Sequence, residues 1–127
     1  MGGRRFLLDS NVLIDALNGR INLLAFLSGF PDCEVYINLI VEIEVLSKTG
    51  MSVREEADIR MLLDSFKWAE IDKPVRETVI QIRRSKSLRL PDAIIAATSI
   101  AIGATVLSND SHLRDYGYPD YSAVPVP

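Results

Sequence analysis

Short apolar runs alternating with longer amphipathic stretches constrain this chain most, because that rhythm fixes both the kind of sheet it can build and where such a sheet binds ligands. Residues 4–9 read as a short buried strand, Glu34-Val35-Tyr36-Ile37 has strand composition, residues 67–71 look like a third strand, and Thr105-Val106-Leu107 form a fourth. Helical patterns fall between them. Asn11 is a plausible cap for a helix through Val12, Leu13 and Leu17 that stops near Asn18-Gly19, and residues 21–28 form a second helix. Ser52-Val53-Arg54-Glu55 is a capping box that opens a helix with Ile59, Leu62, Leu63 and Phe66 on one face. Asp72 and Pro74 start another, with Val75, Val79 and Ile82 apolar, and Pro91 starts a last one that ends before Gly103. This last helix is apolar almost all round and rich in alanine (Ala93, Ala96, Ala97, Ala101), so it should lie buried against close neighbours. The alternation predicts a single α/β domain over residues 1–127, with a central parallel β-sheet flanked by helices on both faces.

One segment is ambiguous. Val41-Glu42-Ile43-Glu44-Val45 alternates as a half-buried strand does, yet Leu39, Ile43 and Leu46 also fit a helix that stops at Lys48-Thr49-Gly50. The glycine as a terminator tilts the reading toward helix.

With 127 residues the chain can bury a self-sufficient core, and 48% hydrophobic with 24% charged residues is ordinary globular composition. The lone Cys33 excludes an intramolecular disulfide and fits a reducing cytoplasm. No signal segment opens the chain, Phe6 stands where a myristoylation signal needs Ser or Thr, and no apolar run approaches the roughly 20 residues that span a bilayer. A membrane role is therefore not expected. The net charge of −3 gives no global attraction to nucleic acid. A local one is available in Arg83, Arg84, Lys86 and Arg89, which are either a solvated helix end or a phosphate-binding cluster.

The residues that carry chemistry are acids. Asp9 closes the run Phe6-Leu7-Leu8, Glu44 interrupts Leu39 to Leu46, Asp92 opens the last helix, and Asp110 follows Val106-Leu107-Ser108-Asn109. Open parallel sheets bind ligands outside the carboxyl ends of their strands, where Asp9 and Asp110 fall. Converging carboxylates must protonate, separate or bind a cation, and a hard divalent ion such as Mg²⁺ or Mn²⁺ is the natural partner. Singly, each acid has a plainer explanation: Asp9 as a helix cap, Asp92 as a favourable charge at a helix start, Asn109-Asp110 as a turn, and Glu44 as one of two solvated glutamates with Glu42.

Taken together, Leu7-Leu8-Asp9-Ser10-Asn11-Val12-Leu13-Ile14-Asp15, Glu44-Val45-Leu46, Leu90-Pro91-Asp92-Ala93-Ile94-Ile95-Ala96-Ala97 and Leu107-Ser108-Asn109-Asp110 resemble the PIN-domain ribonucleases, most closely the VapC-type toxins. The resemblance spans residues 6 to about 115. It implies a metal-dependent endoribonuclease using Mg²⁺, or Mn²⁺, with Asp9, Glu44, Asp92 and Asp110 as catalytic and metal-binding acids. It also puts Glu44 on a helix facing the pocket, in preference to Glu42, and makes Ser10, Asn11 and Ser108 supporting hydrogen-bonding residues. Asp110 matches a position that varies between Asp and Asn in the family. The resemblance further implies an RNA substrate, a cognate antitoxin covering the acidic pocket and a homodimer. Given an RNA substrate, charge alone makes Arg83, Arg84, Lys86 and Arg89 candidates for holding its backbone, since phosphate contacts supply most non-specific affinity.

A phosphohydrolase of the haloacid dehalogenase type needs a second Asp two residues after the first, where this chain has Asn11. A receiver-like phosphoacceptor needs paired acids at its first strand and a lysine after its last, and neither is present. The rivals that stand are a non-catalytic PIN-like module binding RNA or protein, and a PIN nuclease of housekeeping RNA processing. His112 is the sole histidine, which excludes a paired-histidine ribonuclease mechanism within one subunit and leaves it a surface or supporting role. Tyr116, Tyr118 and Tyr121 are expected to pack in a terminal strand or hook rather than stack on bases.

Overall fold

The computed structural model describes residues 3–109, 121, 122 and 124. The strands are β1 (Arg5–Leu8), β2 (Glu34–Ile37), β3 (Lys67–Trp68), β4 (Thr105–Leu107) and β5 (Tyr121–Ser122). The helices are α1 (Ser10–Leu17), α2 (Leu23–Ser28), α3 (Leu39–Leu46), α4 (Val53–Asp64), α5 (Lys73–Ser85) and α6 (Leu90–Ile102). All strand pairs are parallel, in the order β3-β2-β1-β4-β5. With β1 central, the chain winds outward through β2 and β3, then returns to the other flank of β1 as β4. The order therefore reverses between β1 and β4, and this is the edge where an open α/β sheet binds its ligand.

The right-handed crossovers of parallel sheets put α1 to α4 on one face and α5 and α6 on the other. Packing agrees: α1 lies on α3, α3 on α4, and α5 on α6, while α6 covers β1 and β4. Phe6, Leu7 and Leu8 are fully buried, as a strand covered on both faces requires. Phe6 anchors one face through edge-on contacts with Phe26 at 6.2 Å and Phe30 at 5.0 Å between ring centroids. On the other, Ala93, Ala96 and Ala97 of α6 are buried completely, their small side chains allowing close approach.

Several boundaries differ from the sequence reading. Asn11 is not the cap of α1; Asp9 is, and Asn11 lies inside the first turn with its side chain committed elsewhere. Segment 39–46 is a helix, but Ser47 rather than Gly50 caps it, and Gly50 takes its positive φ of 78° in the following turn. The third strand is confined to Lys67–Trp68, because β3 is a solvent-facing edge and Ala69 makes a single further bond, its N–H to the Ile37 carbonyl. Gly103 ends α6 at φ 64°, a conformation glycine adopts without strain.

Phe6→Ala should destabilise the fold by about 3–5 kcal/mol, since it empties a fully buried site between two aromatic rings. Urea unfolding measures this, and a loss under about 1 kcal/mol would show that the face centred on Phe6 collapses readily.

Candidate active site

Asp9 follows the last residue of β1 and caps α1, so its backbone is fixed from two directions. Its N–H donates to the Leu107 carbonyl of β4 at 3.0 Å, and its own carbonyl accepts from Val12. The residue is 5% exposed, and its side chain is held by three donors. The Ser10 N–H donates to Oδ1 at 2.8 Å, while the Ser108 hydroxyl at 2.9 Å and Asn11 Nδ2 at 3.1 Å donate to Oδ2. Asn11 also donates to Ser108 Oγ at 3.1 Å, and its Oδ1 accepts the Asn109 N–H at 3.0 Å. One asparagine thus ties the residues after β1 to those after β4.

Asp92 and Glu44 arrive from opposite faces of the sheet. Asp92, in the first turn of α6, is 7% exposed and accepts from Arg89 Nε at 3.3 Å. Glu44, on α3, is exposed, but its Oε1 accepts from the Ser10 hydroxyl at 3.0 Å. Glu42 makes no such contact among the described residues. Burial pushes the Asp9 carboxyl up from 3.8 to about 6, against the opposing pull of the Ser108 hydroxyl and the Ser10 amide. The charges of Asp92 and Glu44 add smaller upward pushes, so the three acids share one electrostatic environment.

Two residues to which the sequence reading assigned no role in the site set this geometry. Asn38, fully buried, caps α3 by accepting from the Val41 N–H at 3.2 Å, and its Nδ2 donates to Thr98 on α6 at 3.2 Å. It couples the helix bearing Glu44 to the helix bearing Asp92. Its signal in the sequence is an asparagine between a strand and an apolar helix, a capping position. Asn109 is the other: besides its bond to Asn11, its Oδ1 accepts from the Val124 N–H at 3.0 Å.

The acids do not form a closed cage: among the described residues no three His, Cys, Asp or Glu side chains are gathered as a complete metal-binding group. Their chemistry nonetheless fits a hard divalent cation. The donors are all oxygen, two of the three carboxylates are buried, and Mg²⁺ characteristically takes one or two carboxylates while keeping several waters. Asp110, His112, Tyr116 and Tyr118 lie outside the described residues, and Tyr121 begins β5. Within the basic cluster, Arg83 donates to the Leu88 carbonyl and Arg89 to Asp92. Beside Glu44 a cleft of about 680 Å³ runs between α1, α3 and the start of α4, lined by Ile14, Leu17, Val45, Met51 and Ile59.

The sequence matches the PIN domain family over residues 6–118, and the chain belongs to that family. Solved structures agree. A chain of a toxin–antitoxin complex from Klebsiella pneumoniae is 29% identical, with a TM-score of 0.78 over 91% of this chain and 94% of that one. A chain of VapBC2 from Rickettsia felis, bound to a DNA fragment from their promoter, shares the fold at 17% identity and a TM-score of 0.79, covering 95% and 99% of the two chains. FitAcB from Neisseria gonorrhoeae does so at 23% identity and a TM-score of 0.69, covering 94% and 96%. No curated protein matches the sequence. The neighbours are consistent with the VapC-type resemblance of the motifs. No helix among the described residues is long and apolar enough to cross a membrane.

The raised Asp9 carboxyl has a consequence for stability. The folded chain binds this proton more tightly than the unfolded chain, so stability falls as pH rises from 3.8 through about 6. In metal-free buffer Asp9→Asn should therefore stabilise the fold by about 1–3 kcal/mol at pH 8 and by nearly nothing at pH 4. Denaturant titrations at the two pH values test this, and an equal effect at both would contradict it.

Proposed function

We propose that this chain is a divalent-metal-dependent endoribonuclease, hydrolysing RNA phosphodiester bonds as the toxin of a toxin–antitoxin pair. The observation that carries the reading is the buried Asp9, oriented by donors from two strand ends, with Asp92 and Glu44 close enough to raise its pKa. PIN-domain membership and the likeness to a toxin–antitoxin chain support it from a separate direction.

The carboxylates of Asp9, Asp92 and Glu44 would hold Mg²⁺ or Mn²⁺, with Asp110 joining them by the family pattern. Bound there, the ion supplies charge neutralisation and Lewis-acid activation for attack of water on phosphorus. The chain's own contribution is positional. Ser108, Asn11 and the Ser10 amide fix the Asp9 carboxylate, and the Ser10 hydroxyl turns Glu44 inward. Hydrolysis needs no covalent protein intermediate. The resemblance to VapC-type toxins extends the reading to a homodimer and to a cognate antitoxin whose tail covers the acids. The cleft lined by Glu44 together with Ile14, Leu17, Val45 and Lys48 offers such a tail a surface.

Asp9→Asn and Asp92→Asn should each lower Mg²⁺- or Mn²⁺-dependent cleavage of an RNA pool by a factor on the order of 100 or more while the fold persists, and a chelator should abolish wild-type cleavage. Growth arrest on expression, relieved by Asp92→Asn, would separate the toxin from a housekeeping nuclease. Cleavage that survives chelation or Asp92→Asn would overturn the assignment.

A further inference from the structure

Arg89 occupies a position that helix physics disfavours. It is the N-cap of α6, yet makes no side-chain capping bond. That position prefers Ser, Thr, Asp or Asn, and a cation there meets the positive end of the helix dipole. The compensation is Asp92, one turn on: Arg89 Nε reaches Oδ2 at 3.3 Å. The two partners are unlike, because the Asp92 side chain is 9% exposed while that of Arg89 is 72% exposed. A buried carboxylate of the candidate site is thus met by a guanidinium free to move in solvent. Arg83, by contrast, is engaged with the Leu88 carbonyl, and the Lys86 backbone caps α5 by donating to Ile82.

We propose that Arg89 is the site's own counter-cation, neutralising Asp92 until a divalent ion takes that carboxylate and then turning to a phosphate of the RNA. The proposal rests on the nuclease reading above. The guanidinium lies mostly in solvent, so little is lost on its side when a divalent ion takes its place at the buried carboxylate, and the permanently charged planar fork of arginine suits a phosphate as well as a carboxylate. One side chain would serve two states of the site: it offsets carboxylate repulsion in the metal-free protein and binds substrate in the loaded one.

The test is a calorimetric titration of the full chain with Mn²⁺, in the wild type and in the Arg89→Gln, Arg89→Lys and Asp92→Asn variants. Arg89→Gln should bind Mn²⁺ about three- to tenfold more tightly, Arg89→Lys should stay near wild type, and Asp92→Asn should bind much more weakly. Loss of a merely structural cap would weaken metal binding or leave it alone. An Arg89→Gln affinity equal to or below wild type therefore overturns the proposal. The second arm measures binding of a short RNA in Ca²⁺ by fluorescence anisotropy, where Arg89→Gln should lower affinity and reduce the salt slope by about 1. Unchanged RNA affinity and slope would overturn the substrate half. A wild-type protein that binds no Mn²⁺ would remove the nuclease reading and this proposal together, whereas metal binding lost in Asp92→Asn but unmoved in Arg89→Gln would remove this proposal alone.

Discussion

The structure turns on one unfavourable act, the burial of the Asp9 carboxylate at the end of its central strand. Desolvation there raises the carboxyl to about 6, and the neighbouring acids raise it further rather than relieve it. A core optimised for stability alone would place a neutral residue at this point. Instead the surroundings direct three hydrogen-bond donors at the carboxylate, two from the first turn of α1 and one from the residue after β4, on both sides of the switch point. The carboxylate is held in orientation without being neutralised, which leaves its charge for a cation.

The remaining elements can be understood as positioning the other acids around that charge. Asn38 follows β2, caps α3 and bonds Thr98 of α6, which links the helices that carry Glu44 and Asp92. The small residues of α6 let it lie against β1 and β4, bringing Asp92 to the same edge of the sheet. Asn109 links the end of β4 to Asn11 and to Val124, joining the site to the chain beyond β5. The contacts of Asn38 are buried, that of Asn109 with Val124 is part-buried and its bond to Asn11 is exposed, and these amides with specific partners define the site more than the number of acids does.

Much of this was legible in the sequence, for reasons that vary by residue. The parallel sheet followed from alternating strand and helix periods, and the Ser52 and Asp72 caps from side chains that bond N–H groups three residues on. Asp9 and Asp92 each had an ordinary explanation alone, as a helix cap and a first-turn charge, and Asp9 does cap α1; only the joint pattern of the motifs set them apart. What periodicity could not decide was the segment around Glu44, where strand and helix patterns coincide over a few residues; the capping asparagine before it is the local feature that settles the helix. The local reading of Asn11 as a helix cap fails because capping is judged from one chain segment, whereas Asn11 bonds Ser108 and Asn109, nearly a hundred residues away. The division of labour in the basic cluster was likewise invisible, since it depends on which carbonyl or carboxylate each side chain reaches in space.

The candidate site depends most directly on the ionisation of Asp9. Its titration can be followed in metal-free protein by carbon NMR of the side-chain carboxyl, with Asp9→Asn fixing the assignment. The burial and coupling described above place the midpoint near pH 6. A midpoint near 3.8, the ordinary value for an aspartate, would mean that the carboxylate is solvated and that the site is not organised around it.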